Sequence, residues 1–91
     1  MNVTHVSRGI TFEWDRYKAS SNLYKHGISF KSACEIFFDP FVSSVDDEYV
    51  DGELREQIIG ILPTWQLLSV VYVMRGDSVR LISARRAMNT E

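Results

Sequence analysis

After Gln66, residues 67–74 run almost without interruption through apolar side chains: Leu67, Leu68, Val70, Val71, Tyr72, Val73 and Met74, broken only by Ser69. The stretch is rich in β-branched residues and less than half the roughly 20 residues a membrane-spanning helix needs, so it reads as a strand buried on both faces. Gly76-Asp77 follows between Arg75 and Ser78, the composition of a two-residue hairpin turn. Beyond it Val79, Leu81 and Ser83 alternate with Arg80, Ile82 and Ala84. A chain with this pair near its C-terminus must build a sheet around it.

Upstream, residues 55–62 make another strand ending at the Pro63-Thr64 turn, and residues 41–45 a weaker one. Between those two lies an acidic stretch, 46–52, read as a loop. Short connections predict an antiparallel meander. The N-terminal half has a different period. Ile10, Phe12 and Trp14 alternate with Thr11 and Glu13 as a half-buried strand, and Asp15 stands where a helix N-cap belongs. A helix from about Arg16 ends at Lys25-His26-Gly27, with positive charge on the negative end of the helix dipole and a glycine at C′. Phe30, Ala33, Cys34 and Phe37 then fall at i, i+3, i+4 and i+7 of a second helix, capped by Ser29 and stopped by Asp39-Pro40. The order β-α-α-β-β-β-β predicts an α+β domain with two N-terminal helices packed on one face of an antiparallel sheet.

Ninety-one residues, 45% apolar, suffice for one core and one domain, 1–91, with residues 1–9 expected as a loosely ordered leader. The aromatic residues Phe12, Trp14, Phe30, Phe37 and Phe38 follow the buried periodicity and read as core, as does Cys34. A single cysteine makes no internal disulfide, and the N-terminus has neither a basic start nor an apolar run, so a cytoplasmic location is expected. The lone cysteine and two distant histidines lack zinc-site spacing, and no G-x-G-x-x-G, P-loop or G-x-S-x-G occurs. No metal or cofactor is expected.

What remains is charge. Asp46, Asp47, Glu48, Asp51, Glu53 and Glu56 against Arg55 put −5 into residues 46–56, so the net charge of −2 leaves +3 for the rest of the chain. Arg75, Arg80, Arg85 and Arg86 crowd the C-terminal strands. Guanidinium groups stay charged and offer a planar fork of donors that fits phosphate, so Arg80, Arg85 and Arg86 predict an anion-binding face. Pairing with the acidic stretch is the plainer alternative. Lys25-His26 serves either as a helix cap or as an acid–base pair, since histidine titrates near neutrality. Glu53 and Arg55, two apart on one strand face, suit either an ion pair or a carboxylate base beside a phosphate clamp.

Phe12, Trp14-Asp15, Lys18, Asn22, Lys25-His26-Gly27-Ile28, Phe30 and Ala33 form one spaced block. It resembles the opening of the BrnT toxins, approximately F-x-W-D-x-x-K-x-x-x-N-x-x-K-H-G-[VI]-x-F-x-x-A. Gly52-Glu53-Leu54-Arg55 with Ile59-Gly60, and Arg80-Leu81-Ile82-Ser83-Ala84-Arg85-Arg86-Ala87, are similar to two later signatures of that family. The resemblance spans residues 12–87. It implies a RelE-like fold and the toxin half of a bacterial type II toxin–antitoxin pair, a metal-independent endoribonuclease that blocks translation. It also implies a BrnA-type antitoxin, a dimeric ribbon-helix-helix-like protein that neutralises the toxin and carries the DNA binding, with RNA as the toxin's own substrate. On that reading Arg80, Arg85 and Arg86, assisted by Arg55, bind phosphate, and His26 or Glu53 moves protons with Lys25 nearby. Arg85→Ala is expected to abolish toxicity without unfolding the chain. A non-catalytic module whose arginine strand docks an acidic partner segment is the alternative.

Overall fold

The computed structural model describes residues 1–87. Strands β1 (Asn2–Ser7) and β2 (Ile10–Asp15) lead into helix α1 (Arg16–His26), a single α-turn α2 (Phe30–Ala33) and a 3-10 turn (Cys34–Phe38). Strands β3 (Ser43–Val50), β4 (Glu53–Ile61), β5 (Leu67–Arg75) and β6 (Ser78–Arg86) follow. All six strands join one sheet in the order β1-β2-β6-β5-β4-β3. The meander β3 to β6 is antiparallel, but β2 lies parallel to β6 through Thr11–Ser78, Phe12–Val79 and Glu13–Arg80.

The expected antiparallel sheet under two helices is therefore corrected to a six-stranded mixed sheet with two short helices. An alternating strand buries the same residues whichever way its neighbour runs, so its pattern carries no direction. The two ends of the sheet also differ from expectation. Residues 2–7, read as a leader, pair along their whole length with β2. The acidic stretch read as a loop is mostly strand, and only Asp51-Gly52 turns. Both Asp51 (φ 52°) and Gly52 (φ 76°) have positive φ, as do Arg8 (φ 49°) and Gly9 (φ 82°) between β1 and β2. Positive φ at both central residues is what a tight two-residue hairpin matching the strand twist requires.

Helix α1 begins and ends where its caps predict. The Asp15 carboxylate accepts the Lys18 N–H at 3.0 Å, and Gly27, at φ 70°, sends its N–H to the Leu23 carbonyl at 2.8 Å. The second helix gives way to a 3-10 turn because of Pro40. In an α-helix the Ile36 carbonyl would accept from residue 40, which has no N–H; it accepts instead from Asp39, at 3.1 Å. The Asp39 carboxylate then takes the N–H groups of Phe41 and Ile61, tying this turn to β4.

The core lies between the helical segments and one face of the sheet. Phe12, Trp14, Phe30, Ile36, Leu68, Val70, Leu81 and Ala84 are buried there, with Trp14 edge-on to Phe30 at 5.9 Å and Phe37 between Phe12 and Tyr72. Phe37 and Phe38 pack partly buried against this cluster. No helix among the described residues is long and apolar enough to cross a membrane.

Candidate active site

Two irregularities in the ladder shape the sheet's other face. Between Val71 and Tyr72 the β5–β6 register slips, so Tyr72 pairs with Leu81 and Val71 with Ser83, leaving Ile82 as an extra residue. A bulge of this kind re-aims the side chains beyond it. Ala84, which simple alternation puts beside Arg80, therefore turns into the core opposite Val70, and Ile82 and Ser83 line two adjoining clefts. On the edge strand, the Val45–Glu48 segment bulges in the same way against β4.

The first cleft, about 220 Å³, is lined by Lys18, Ser21, Asn22, Lys25 and His26 of α1 together with Ile82 and Ser83. The second, about 150 Å³, is lined by Asp46, Glu48, Arg55, Gln57 and Val71, and again by Ile82 and Ser83. Ile82 and Ser83 of the bulge line both, so the two clefts adjoin and are treated together as a trough. Its α1 wall is cationic; its β3–β4 wall mixes carboxylates with a guanidinium.

Asn22 holds the α1 wall in place. Its side-chain amide donates to the Ala84 carbonyl at 2.8 Å and to the Ile28 carbonyl at 3.0 Å, and its Oδ1 accepts the Ala84 N–H at 3.0 Å. Strand β2 pairs with β6 only as far as Arg80, so past that point a buried side chain replaces the missing neighbour and satisfies both main-chain groups of Ala84.

The structure separates the residues singled out from the sequence. Lys25 and His26 border the trough from α1, and Arg55 from β4. The Nε of Arg55 is buried with no hydrogen-bond partner among the described residues. Glu53 points to Arg75, 3.1 Å away, and lines neither cleft. Arg80 is largely buried in an ion pair with Glu13 at 3.2 Å and also donates to Asn2 Oδ1, joining the three neighbouring strands β1, β2 and β6. By register Arg85 shares the open face with Ser69, whereas Arg86 shares the core face with Leu68, so both project from the exposed end of β6 in opposite directions. The three C-terminal arginines do not converge.

Sequence reasoning gave no site role to most of the trough's lining, Lys18, Ser83, Asp46 and Glu48 among it. Lys18 was legible, seven positions before Lys25 and so on the same helix face. Ser83, Asp46 and Glu48 were not, because their placement depends on the two bulges. Among the described residues no group of three or more His, Cys, Asp or Glu stands where it would hold a metal ion.

The family model for the ribonuclease toxin BrnT of type II toxin–antitoxin systems matches residues 14–91. The chain belongs to the BrnT toxin family. The crystal structure of the Brucella abortus ribonuclease toxin BrnT is similar to this chain at 26% identity and a TM-score of 0.63, covering 84% of this chain and 94% of that one. No curated protein matches. The chain is thus a ribonuclease toxin of a type II system, a class whose members act beside an antitoxin. The family match begins at Trp14, so strand β1 and most of β2 lie outside it.

Proposed function

We propose that the trough between α1 and the β3–β4 edge is the active site of a metal-independent RNA endonuclease. The observation that carries this reading is the shared bulge, which sets Lys18, Lys25 and His26 across from Arg55, Asp46 and Glu48. Cleavage by the neighbouring ribose needs a base for the 2′-OH, an acid for the departing 5′-oxygen and cations for the phosphorane. The 2′-oxygen bonds to phosphorus as the P–O5′ bond breaks, giving a 2′,3′-cyclic phosphate and a 5′-hydroxyl. One proton leaves O2′ and one reaches O5′.

His26 and the Glu48 carboxylate are the proton-transfer pair, with Glu48 replacing Glu53, whose carboxylate is engaged by Arg75. Lys25, Lys18 and Arg55 hold the phosphate, the last by a guanidinium with unused donor capacity. Arg85 guides the strand across the open face. Arg80 acts through its ion pair with Glu13, which holds β6 beside β2. RNA cleavage of this kind blocks translation, and a BrnA-type antitoxin, a ribbon-helix-helix-like dimer that carries the DNA binding, neutralises the toxin by covering the trough.

Purified toxin freed of antitoxin is expected to cleave single-stranded RNA in EDTA and to leave cyclic phosphate ends. His26→Gln and Lys25→Ala each lower kcat about 10²- to 10⁴-fold without altering the melting temperature. Loss of cleavage in EDTA would overturn metal independence. Variants of His26, Lys25 and Glu48 that all cleave within threefold of the parent would move the active site elsewhere.

A further inference from the structure

Helix α1 reads Arg16-Tyr-Lys-Ala-Ser-Ser-Asn-Leu-Tyr-Lys-His26 and contains no acidic residue. Within it the dipeptide Tyr-Lys occurs twice, Tyr17-Lys18 and Tyr24-Lys25, seven residues apart. Seven residues are nearly two full turns, so the two copies share one azimuth and are displaced by about 10 Å along the axis. Asn22 and Ala19 face inward, and Lys18, Ser21 and Lys25 face the trough. Leu23 faces a separate, mostly apolar cleft beside Ile28 and Leu62. The tyrosines occupy the remaining crest. Tyr17 is 77% exposed and Tyr24 is 93% exposed, and neither touches the core.

Two rings on a helix that supplies their burial with nothing are unexplained by folding. Alanine in their places would favour the helix more. Their arrangement does match a nucleic-acid strand, because each ring is followed by a lysine about 100° farther round the helix, on the side that lines the trough. The pairing of a π-face with a phosphate-seeking charge repeats at a fixed interval. That interval is roughly three times the ~3.4 Å repeat of a stacked strand, so the rings take bases three steps apart if the strand stays stacked, and fewer if it is extended.

Resting on the trough as the active site, we infer that Tyr17 and Tyr24 are two stacking platforms for single-stranded RNA leaving the site along α1. Lys18 and Lys25 track the backbone, and Tyr24 takes the base nearest His26. Stacking is tolerant of base identity, so the crest contributes affinity and a path rather than sequence preference. Neither tyrosine occupies a fixed position of the motif F-x-W-D-x-x-K-x-x-x-N-x-x-K-H-G, so the crest distinguishes this chain from that pattern.

The test uses the full toxin and a 2′-O-methyl oligonucleotide, which lacks the attacking hydroxyl and reports binding alone, beside a cleavable RNA of the same sequence. Tyr17→Ala and Tyr24→Ala should each weaken binding of the analogue about 5- to 100-fold and raise KM for the substrate in parallel, with kcat nearly unchanged. Tyr→Phe at either position should restore both. Unchanged affinity in the doubly substituted Tyr17→Ala/Tyr24→Ala protein overturns the inference. If His26→Gln still abolishes cleavage in that case, the active-site reading survives it. If the tyrosine variants bind RNA normally but no longer bind antitoxin, the crest is a protein interface and the inference is likewise overturned. Weakened RNA binding by the tyrosine variants together with full cleavage by the His26, Lys25 and Glu48 variants supports the crest as an RNA-binding surface and removes the trough as the site of chemistry.

Discussion

Replacing Asn22 by alanine should be among the most damaging single changes available in this protein. The side chain is 6% exposed and makes three hydrogen bonds, two to the main chain of Ala84 and one to the Ile28 carbonyl. Alanine leaves the Ala84 N–H and carbonyl without partners on the side where β6 has lost its neighbouring strand. Orphaned buried groups cost about 1–3 kcal/mol each, so two or three of them should cost on the order of 3–5 kcal/mol. Domains of this size hold about 5–15 kcal/mol in all, and the melting temperature should fall by roughly 15–30 °C. Urea titration is the assay: the midpoint should drop with the slope unchanged, as expected when stability falls but the surface exposed on unfolding does not. Because the same bonds hold α1 over the bulge, RNA cleavage should also fall within the fraction that stays folded. A loss below about 1 kcal/mol would refute the view that Asn22 stands in for a strand at this edge.

Three further outcomes follow from the same geometry. A Cβ on Gly60 would meet the Ile36 Cβ at 3.0 Å and its carbonyl oxygen at 3.2 Å, so Gly60→Ala should cost about 1–3 kcal/mol in a denaturant titration by forcing the 3-10 turn away from β4. The Asp15 carboxyl is held below the 3.8 of the free group, chiefly by the Lys18 N–H it caps, so its contribution is present above pH 4 and is lost as the pH falls through the folded-state value. Asp15→Asn keeps a capping oxygen and should flatten acid unfolding in that window. Burial pushes the Cys34 thiol up to about 12, and iodoacetamide at pH 8 should label it only after denaturation; rapid labelling of the native protein would contradict its burial.

Local chemistry was readable without the tertiary structure. Asp15, Gly27 and Ser29 mark helix ends through hydrogen bonds made within a few residues, and the first helix is present as predicted, whereas the second shortens to one α-turn and a 3-10 turn. Alternation in β2 and β6, the apolar run of β5 and the spacing of Phe30, Ala33 and Cys34 together named most of the core, because burial and period are both properties of a short segment. The spaced blocks around Lys25-His26, Gly52-Glu53 and Arg80 to Ala87 pointed to the toxin family, which the family comparison bears out.

Long-range pairing decided the rest. Whether β2 runs with or against β6, and whether residues 2–7 find a partner, depends on hydrogen bonds between groups distant in sequence, about which alternation is silent. The two bulges mattered most for the site. A single extra residue at Ile82 moves Ala84 into the core and brings Ser83 to the trough, and the slip after Val45 accompanies a carboxylate-lined cleft that adjoins the one bordered by Lys25 and His26. Composition specified that this chain would carry concentrated charge of both signs; only the register of the sheet determined which charges meet. Arg80 and Glu53, conspicuous in the sequence, are neutralised by Glu13 and Arg75 across neighbouring strands, while Glu48, which the sequence placed in a loop, lines the trough.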